Sequence, residues 1–254
     1  MGYFDSYRYL KDYVDLDLDQ TSLYNGRLNV HNLPFESKNY NILPGEDSYS
    51  DQGKNFPKTP DYRHSISPEI NELLNLADSK VNENRSFRYS VFMPAGTKKS
   101  TGVILLFHGL NEKNWIKYLP WAEALVRKTG KAVILFPLAF HMNRAPNDWS
   151  DFRMMNDMRY IREGLFPAIV GSSFANVAIS TRLHILPQRF FWSGLQTFYD
   201  VIQMIHQIRQ NNHPLFADHA AIDFFAYSIG SFLSEVLMMS NPDGILDQIG
   251  RAHV

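Results

Sequence analysis

Three short, largely apolar segments constrain most strongly what this chain can fold into. They are Val103–Phe107, Ala132–Pro137 and Ile222–Ala226, and each has the length of a strand rather than a helix. Apolar runs of this kind are typical of strands that are buried on both faces of a sheet. Segments with helical periodicity alternate with them, which predicts an α/β fold with a mostly parallel, doubly wound sheet.

Four further segments complete the predicted core. Phe87–Met93 alternates as a strand, whereas Trp115–Thr129, Pro187–Gln210 and Gly230–Met239 carry apolar residues at helical spacing. Gly130 follows the first of these helices and is expected to end it. The core therefore reads as strands joined through helices.

Composition divides the chain into an extension and a core. Residues 1–66 are rich in Tyr, Asn, Asp, Ser and Pro and have weak periodicity, so we expect an N-terminal extension packed on the main domain. Residues 67–248 form the predicted core, which opens with a helix capped at Ser67. The stretch 140–186 is too long for an ordinary strand-to-helix loop of about 2–6 residues, and we expect a cap-like insertion there.

The overall composition excludes several classes of protein. Twenty-five Lys and Arg against 26 Asp and Glu give a formal net charge of -1, which gives no reason to expect nucleic acid or an anionic membrane as partner. No apolar stretch approaches the roughly 18 residues of a membrane-spanning helix, and the charged N-terminus has no apolar signal region, so we expect a cytoplasmic protein. The absence of cysteine excludes disulfides and thiolate metal sites.

The strongest functional signal is the segment I-D-F-F-A-Y-S-I-G, which ends at Gly230. Ser228 lies between a predicted buried strand and a predicted helix, with small residues two positions before it (Ala226) and two after it (Gly230). A serine in such a sharp turn projects its hydroxyl beyond the sheet, and bulky neighbours would collide with the adjoining strand and helix. We therefore predict a nucleophile elbow at Ser228. The alternative is a serine that only caps the helix.

A second signal follows the first apolar strand, in V-I-L-L-F-H-G-L-N. His108 and Gly109 end this strand, and the backbone N–H of Leu110 just past it is predicted to lie near the reacting centre. Together with the N–H of Ile229 it would form an oxyanion hole, the preorganised donor pair that acyl transfer needs. We expect His108 and Gly109 to support this loop, and we do not assign His108 as the general base.

The segment from Phe87 to Gln248 resembles the α/β-hydrolase superfamily. The H-G-L-N turn, the V-I-L-F-P strand and the A-Y-S-I-G elbow carry this resemblance. The elbow departs from the usual G-x-S-x-G, because Ala226 replaces the first glycine. Residues 1–66 are not covered.

The resemblance implies a sheet of the α/β-hydrolase type with a nucleophile at Ser228. It also implies oxyanion donors at Leu110 and Ile229, and cap elements within 140–186. In that superfamily the acid and the histidine of the triad follow the nucleophile, and only 26 residues follow Ser228 here. We therefore expect a sheet that is incomplete at the C-terminus and a 254-residue chain that is inactive by itself.

The last six residues, 249–254, read I-G-R-A-H-V. A widely used sequencing adapter encodes this peptide in one reading frame, so we expect a non-native tail that takes no part in the fold. His253 is accordingly not predicted to be the catalytic histidine.

Two patterns suggest metal ligands but lack the necessary spacing. Asp15–Asp19 reads D-x-D-x-D, yet the glycine and the glutamate that a calcium loop needs later in its sequence are absent. His206, His213 and His219 are spaced more widely than zinc ligands, and we expect them at the surface. No metal is predicted.

The function predicted from these residues is hydrolysis of a carboxylic ester, or of an amide or thioester, through an acyl-enzyme at Ser228. This reaction needs no organic cofactor or metal, and its partner would be a small ester-type molecule. The alternative is a non-catalytic binding or scaffold protein on the same fold, because a fold does not guarantee an activity. Substrate identity and oligomeric state have no readable signal.

Overall fold

The computed structural model of the chain describes residues 2–40, 48–51, 54–57, 78–110, 112–147, 151–165, 167–168 and 188–247. The predicted helix that begins at Ser67 lies outside the described residues. So do part of the predicted insertion 140–186 and the predicted tail 249–254.

In these residues the main sheet has six strands, which are β1 (Gln20–Leu23), β2 (Leu28–Glu36), β5 (Ser86–Pro94), β6 (Ser100–Phe107), β7 (Ala132–Leu135) and β8 (Phe216–Ala226). A two-stranded ribbon consists of β3 (Ser48–Asp51) and β4 (Lys54–Pro57). The helices are α1 (Tyr3–Tyr13), α2 (Asn82–Arg85), α3 (Leu119–Thr129), α4 (Phe152–Leu165), α5 (Gln188–Arg209) and α6 (Ile229–Ser240). No helix in the described part of the chain is long and apolar enough to cross a membrane.

The main sheet is mixed, with the strand order β1-β2-β5-β7-β6-β8. The pairs β1–β2, β2–β5 and β5–β7 are antiparallel, and only β7–β6 and β6–β8 are parallel. The prediction of a mostly parallel, doubly wound sheet of the α/β-hydrolase type is therefore wrong.

The error has a physical cause. An apolar run reports that a strand is buried on both faces, but it carries no information about strand direction. A short turn with no helix joins β5 to β6, and β5 lies antiparallel to β7. Helix α3 joins β6 to β7, and that pair alone among consecutive strands of the sheet is parallel, as a helical crossover requires.

Two strands of the main sheet come from the predicted N-terminal extension. Strand β2 pairs with β5 along its whole length, from Leu28 opposite Pro94 to Glu36 opposite Ser86. Its alternation was obscured in the sequence because a polar residue, Asn32, occupies an inward position. The Asn32 amide donates to the Leu18 carbonyl (2.6 Å), and its oxygen accepts from the Ser90 hydroxyl (2.6 Å). Hydrogen bonding of this kind allows a polar side chain to be buried in a sheet.

Apolar side chains cover both faces of the sheet. Along β6, Val103, Leu105 and Phe107 face the helices α5 and α6, whereas Ile104 and Leu106 face α1 and α3. This alternation explains why β6 reads as an unbroken apolar run. The core therefore has two halves, one on each side of the sheet.

A buried polar cluster, the Arg144–Asp200 cluster, connects several elements through hydrogen bonds. Both of these side chains are fully buried, and Arg144 Nη2 donates to Asp200 Oδ2 at 2.6 Å. The remaining guanidinium nitrogens donate to Asn84 Oδ1 (3.1 Å) and to the Pro137 carbonyl (3.0 Å). The other carboxylate oxygen of Asp200 accepts from the Ser37 hydroxyl at 2.6 Å. A buried ion pair is tolerated when its hydrogen bonds are satisfied in this way.

Candidate active site

The turn between β8 and α6 holds Ser228 in a strained backbone conformation. Strand β8 ends at Ala226, the helix begins at Ile229, and Ser228 has φ 57° and ψ -118°. Residues other than glycine rarely adopt this region of backbone conformation, and the strain destabilises the protein by about 1–3 kcal/mol. The turn is held in place because the Tyr227 N–H donates to the Phe107 carbonyl at 3.1 Å.

Ser228 occupies the N-cap position of α6 but does not cap it. Within the described residues its hydroxyl makes no capping hydrogen bond. A serine that caps a helix contributes about 0.5–2 kcal/mol through that bond. The strain at Ser228 is therefore not offset by capping, and the capping alternative does not describe this serine.

Close packing explains the small residue two positions after the serine. A Cβ atom on Gly230 would lie 2.7 Å from Phe107 Cβ and 2.9 Å from the His108 carbonyl oxygen. Real Cβ atoms do not approach so closely, so only glycine lets α6 start against the end of β6. On the strand side, Ala226 pairs with Phe107 and packs against the core.

His108 is fully buried just past β6 and fixes the loop there. The Leu138 N–H donates to His108 Nε2 at 2.9 Å, so Nδ1 carries the proton and donates to the Gly109 carbonyl at 2.8 Å. Burial lowers the pKa of His108 well below its ordinary value, and the nearby charge of His141 lowers it further. The ring is neutral and both of its nitrogens are engaged.

Gly109 lies against two tyrosines, Tyr118 and Tyr227. Its N–H donates to Tyr118 Oη at 2.8 Å, and the Tyr118 hydroxyl donates to Glu112 Oε1 at 3.1 Å. Glu112 is ion-paired with Lys117. A Cβ atom on Gly109 would lie 3.0 Å from the Tyr227 ring, so a larger residue there would require that ring to shift.

Leu110 and Ile229, the predicted oxyanion donors, line one cavity of about 570 Å³. Ile229 is the first residue of the twelve-residue helix α6. The first N–H groups of a helix have no intrahelical acceptor, and its N-terminus favours negative charge. The structure thus brings the two predicted donor residues to the same cavity. Ser228 itself is not among the lining residues, but it directly precedes Ile229 in the chain.

The segment that follows β7 forms another wall of this cavity. Phe140 and His141 line it, and both Phe140 (φ 62°) and Met142 (φ 51°) have positive φ angles. Strained residues cluster at functional sites more often than elsewhere. His141 is the only histidine among the described residues that line the cavity.

The sequence did not predict two parts of the site. One is the support that Tyr118 and Glu112 give to Gly109, and the other is the wall that α5 forms along the cavity. Tyr118 and Glu112 have no motif, because their role depends on a contact with the backbone of Gly109. The contribution of α5 had a weak signal in the sequence. Phe190 and Phe191 are adjacent, and the apolar stripe of this helix accounts for only some of its aromatic residues.

The described residues contain no group of three or more His, Asp or Glu that could hold a metal ion. The surface position expected for His213 is wrong, because this ring is 3% exposed. Its Nε2 lies 2.7 Å from Tyr89 Oη, and its Nδ1 accepts the Leu215 N–H at 3.2 Å. His213 is a buried, fully bonded residue away from Ser228.

Comparison with known proteins assigns the chain to a family but not to an activity. Neither a curated protein nor a solved structure matches the chain. A family model described as a family of unknown function (DUF6051) matches residues 1–251. Membership of the α/β-hydrolase superfamily, implied by the resemblance of three short motifs, is therefore wrong, because the matching family is a different one and the sheet is mostly antiparallel. With nearly its whole length matched, the chain belongs to the family of unknown function DUF6051.

Proposed function

We propose that Ser228 is the nucleophile of a hydrolase that cleaves a carboxylic ester, or an amide or thioester of similar shape. The observation that carries this proposal is the strained backbone of a serine whose hydroxyl caps nothing. Backbone strain of about 1–3 kcal/mol that no stabilising hydrogen bond offsets is characteristic of residues with a functional role.

The surroundings of Ser228 support the same chemistry. Its hydroxyl oxygen would attack the substrate carbonyl carbon, and the negative charge that develops on the carbonyl oxygen would be held by the N–H groups of Leu110 and Ile229. The ester C–O bond then breaks and the alcohol leaves with a proton. Water attacks the acyl-enzyme in the second half-reaction, which releases the acid and restores the serine.

A general base must accept the serine proton, and His108 is not that base. Its Nε2 lone pair already accepts the Leu138 N–H, and its Nδ1–H is donated to Gly109. A base needs a free lone pair within hydrogen-bond reach of the hydroxyl. We therefore do not propose His108 as the general base. His108 and Gly109 remain the proposed supports of the oxyanion loop.

The alternative is a non-catalytic binding protein that uses the same cavity. It is favoured by the cavity itself, which is large enough for a small organic molecule of the size that proteins commonly bind. In both cases we propose a small molecule as the partner and the cytoplasm as the location.

The test is labelling of the complete gene product with a fluorophosphonate, followed by peptide mass spectrometry. We expect one adduct, on Ser228, and none in Ser228→Ala. Ser231→Ala is the matched control, because this serine lies three residues along α6, and its labelling should equal that of the unmodified protein. A folded protein that carries no adduct on Ser228 would exclude the hydrolase and leave the binding protein.

A further inference from the structure

The cavity beside Ser228 is built almost entirely from apolar side chains. Its floor is formed by the buried residues Leu138, Phe140 and Leu233. Its rim carries large hydrophobic residues that are exposed to solvent, namely Leu110, Phe190, Phe191, Tyr199, Phe232 and Val236. Six of the fifteen exposed large hydrophobic residues in the described part of the chain thus surround this one cavity, and a concentration of this kind marks a binding site.

The polar side chains in the cavity wall bond to the protein. Among them, His141 Nδ1 lies 2.8 Å from the Ala139 carbonyl oxygen, and the Ser240 hydroxyl donates to the Leu237 carbonyl at 3.1 Å. Thr197 Oγ1 accepts the Ala139 N–H (2.9 Å) and donates to the Ser193 carbonyl (2.7 Å). The Ser193 hydroxyl donates to the Ala139 carbonyl at 2.8 Å. Arg189 is ion-paired with Asp78 at 2.7 Å. Because these groups bond inward, the wall offers a ligand mainly hydrocarbon surface.

The serine turn meets the cavity at Ile229, the residue that follows Ser228. Ile229 and Leu110 line the same space as the aromatic wall, and Ile229 begins helix α6. A molecule that fills the cavity would therefore have its carbonyl end at these N–H groups and its apolar part against α5 and α6. The volume of about 570 Å³ is in the range that accommodates small organic ligands.

We propose that this cavity binds the uncharged acyl chain of the substrate, so that the preferred substrates are esters of medium-chain fatty acids. The acyl part of this statement rests on the proposed function, whereas the binding of a hydrocarbon chain does not. Each methylene group that enters an apolar cavity raises affinity about fourfold. The affinity of the cavity for a substrate should therefore depend mainly on the length of its acyl chain.

The experiment measures binding of straight-chain butanol, hexanol and octanol to Ser228→Ala by titration calorimetry. We expect affinity to rise roughly fifteenfold for each pair of methylenes added. Val236→Trp, which introduces a large ring at the rim on α6, should weaken octanol binding by about tenfold or more. Met239→Trp is the matched control, because Met239 lies on the same helix but outside the cavity, and its affinities should be unchanged.

The outcomes separate this inference from the proposed function. Affinity that does not depend on chain length, or an equal effect of the two tryptophan variants, would overturn the inference even where fluorophosphonate labels Ser228. A chain-length dependence that Val236→Trp removes, together with an unlabelled Ser228, would support hydrocarbon binding and exclude the hydrolase. If Val236→Trp does not fold, Phe232→Ser, which shortens an exposed rim residue, should lower octanol affinity and leave butanol affinity nearly unchanged.

Discussion

The turn at Ser228 and the Arg144–Asp200 cluster differ in how their polar side chains are hydrogen-bonded. In the cluster all three guanidinium nitrogens of Arg144 and both carboxylate oxygens of Asp200 are hydrogen-bonded, and both side chains are fully buried. At the turn, Ser228 has a strained backbone and a hydroxyl that makes no capping bond. The first arrangement holds elements together, and the second does not.

This difference distinguishes a structural polar site from a candidate functional one. Burying a charge is tolerated only when partners satisfy it, so a complete set of hydrogen bonds indicates a structural role. A strained residue without such bonds is maintained by the surrounding fold, here by the packing of Gly230 on β6. Replacing Asp200 in the cluster and replacing Ser228 at the turn should therefore have opposite effects on stability.

The largest effect is expected in the Arg144–Asp200 cluster. Asp200→Ala leaves the Arg144 charge buried without its carboxylate and should lower the free energy of unfolding by about 3–5 kcal/mol. Urea denaturation measures this loss. Asp223→Ala is the control, because its pair with Lys131 is partly exposed and should contribute only about 0–1 kcal/mol. Equal effects of the two substitutions would contradict a structural role for the cluster.

The next effect concerns the packing that maintains the strain. Gly230→Ala puts a Cβ against Phe107 and the His108 carbonyl, and should destabilise the protein by about 1–3 kcal/mol. Gly194→Ala is the matched control, since no atom lies within 4 Å of the added Cβ and the helix should gain about 0.5–1 kcal/mol. Thermal unfolding of the two variants measures both signs. A neutral Gly230→Ala would show that the turn is not held by this contact.

A pH dependence is expected from His213, a buried and fully bonded residue like those of the cluster. Burial lowers the pKa of His213 from 6.5 to about 4. As pH falls below the ordinary value, the unfolded chain binds a proton that the folded protein does not accept, so stability present above that value is lost. The loss from this group should be about 2 kcal/mol between pH 7 and pH 5.

His213→Phe should reduce this pH dependence, measured by urea unfolding at both pH values. The share of His108, whose pKa burial also lowers, should remain. His219→Gln is the control, because it replaces a histidine whose ring is 95% exposed. An unchanged pH profile in His213→Phe would contradict a neutral, buried His213.

The smallest effect is expected at Ser228 itself. Ser228→Gly relieves the positive φ angle and should raise stability by about 1 kcal/mol while it removes fluorophosphonate labelling. Ser231→Gly, inside α6, should lower stability by about 0.5–1 kcal/mol and preserve labelling. Equilibrium unfolding and mass spectrometry report the two properties separately. If Ser228→Gly lowers stability instead, the serine has a structural role that its geometry does not reveal.

The sequence predicted those parts of the fold that depend on local pattern. The apolar runs correctly indicated β6, β7 and β8, and the spacing around Ser228 indicated a strand, a sharp turn and a helix. Strand direction was beyond reach, because burial on both faces is the same for parallel and antiparallel neighbours. Strand β2 was missed because Asn32 interrupts its apolar alternation.

The candidate site divides in the same way. Ser228, Leu110 and Ile229 were predicted because each follows a recognisable strand end. The Tyr118–Glu112 support of Gly109 and the pairing of Arg144 with Asp200 join residues whose sequence separation carries no pattern, so only the folded chain reveals them. Polar contacts of this kind have no signal in the sequence.

The most direct test of the claim that Ser228 is a nucleophile is to trap the acyl-enzyme. The complete gene product is mixed with the nitrophenyl ester of octanoic acid, quenched in acid, digested and examined by mass spectrometry. We expect one octanoyl group on the peptide that contains Ser228, absent from Ser228→Ala and present in Ser231→Ala. Ester hydrolysis that persists in Ser228→Ala, or an octanoyl group on another residue, would contradict that claim.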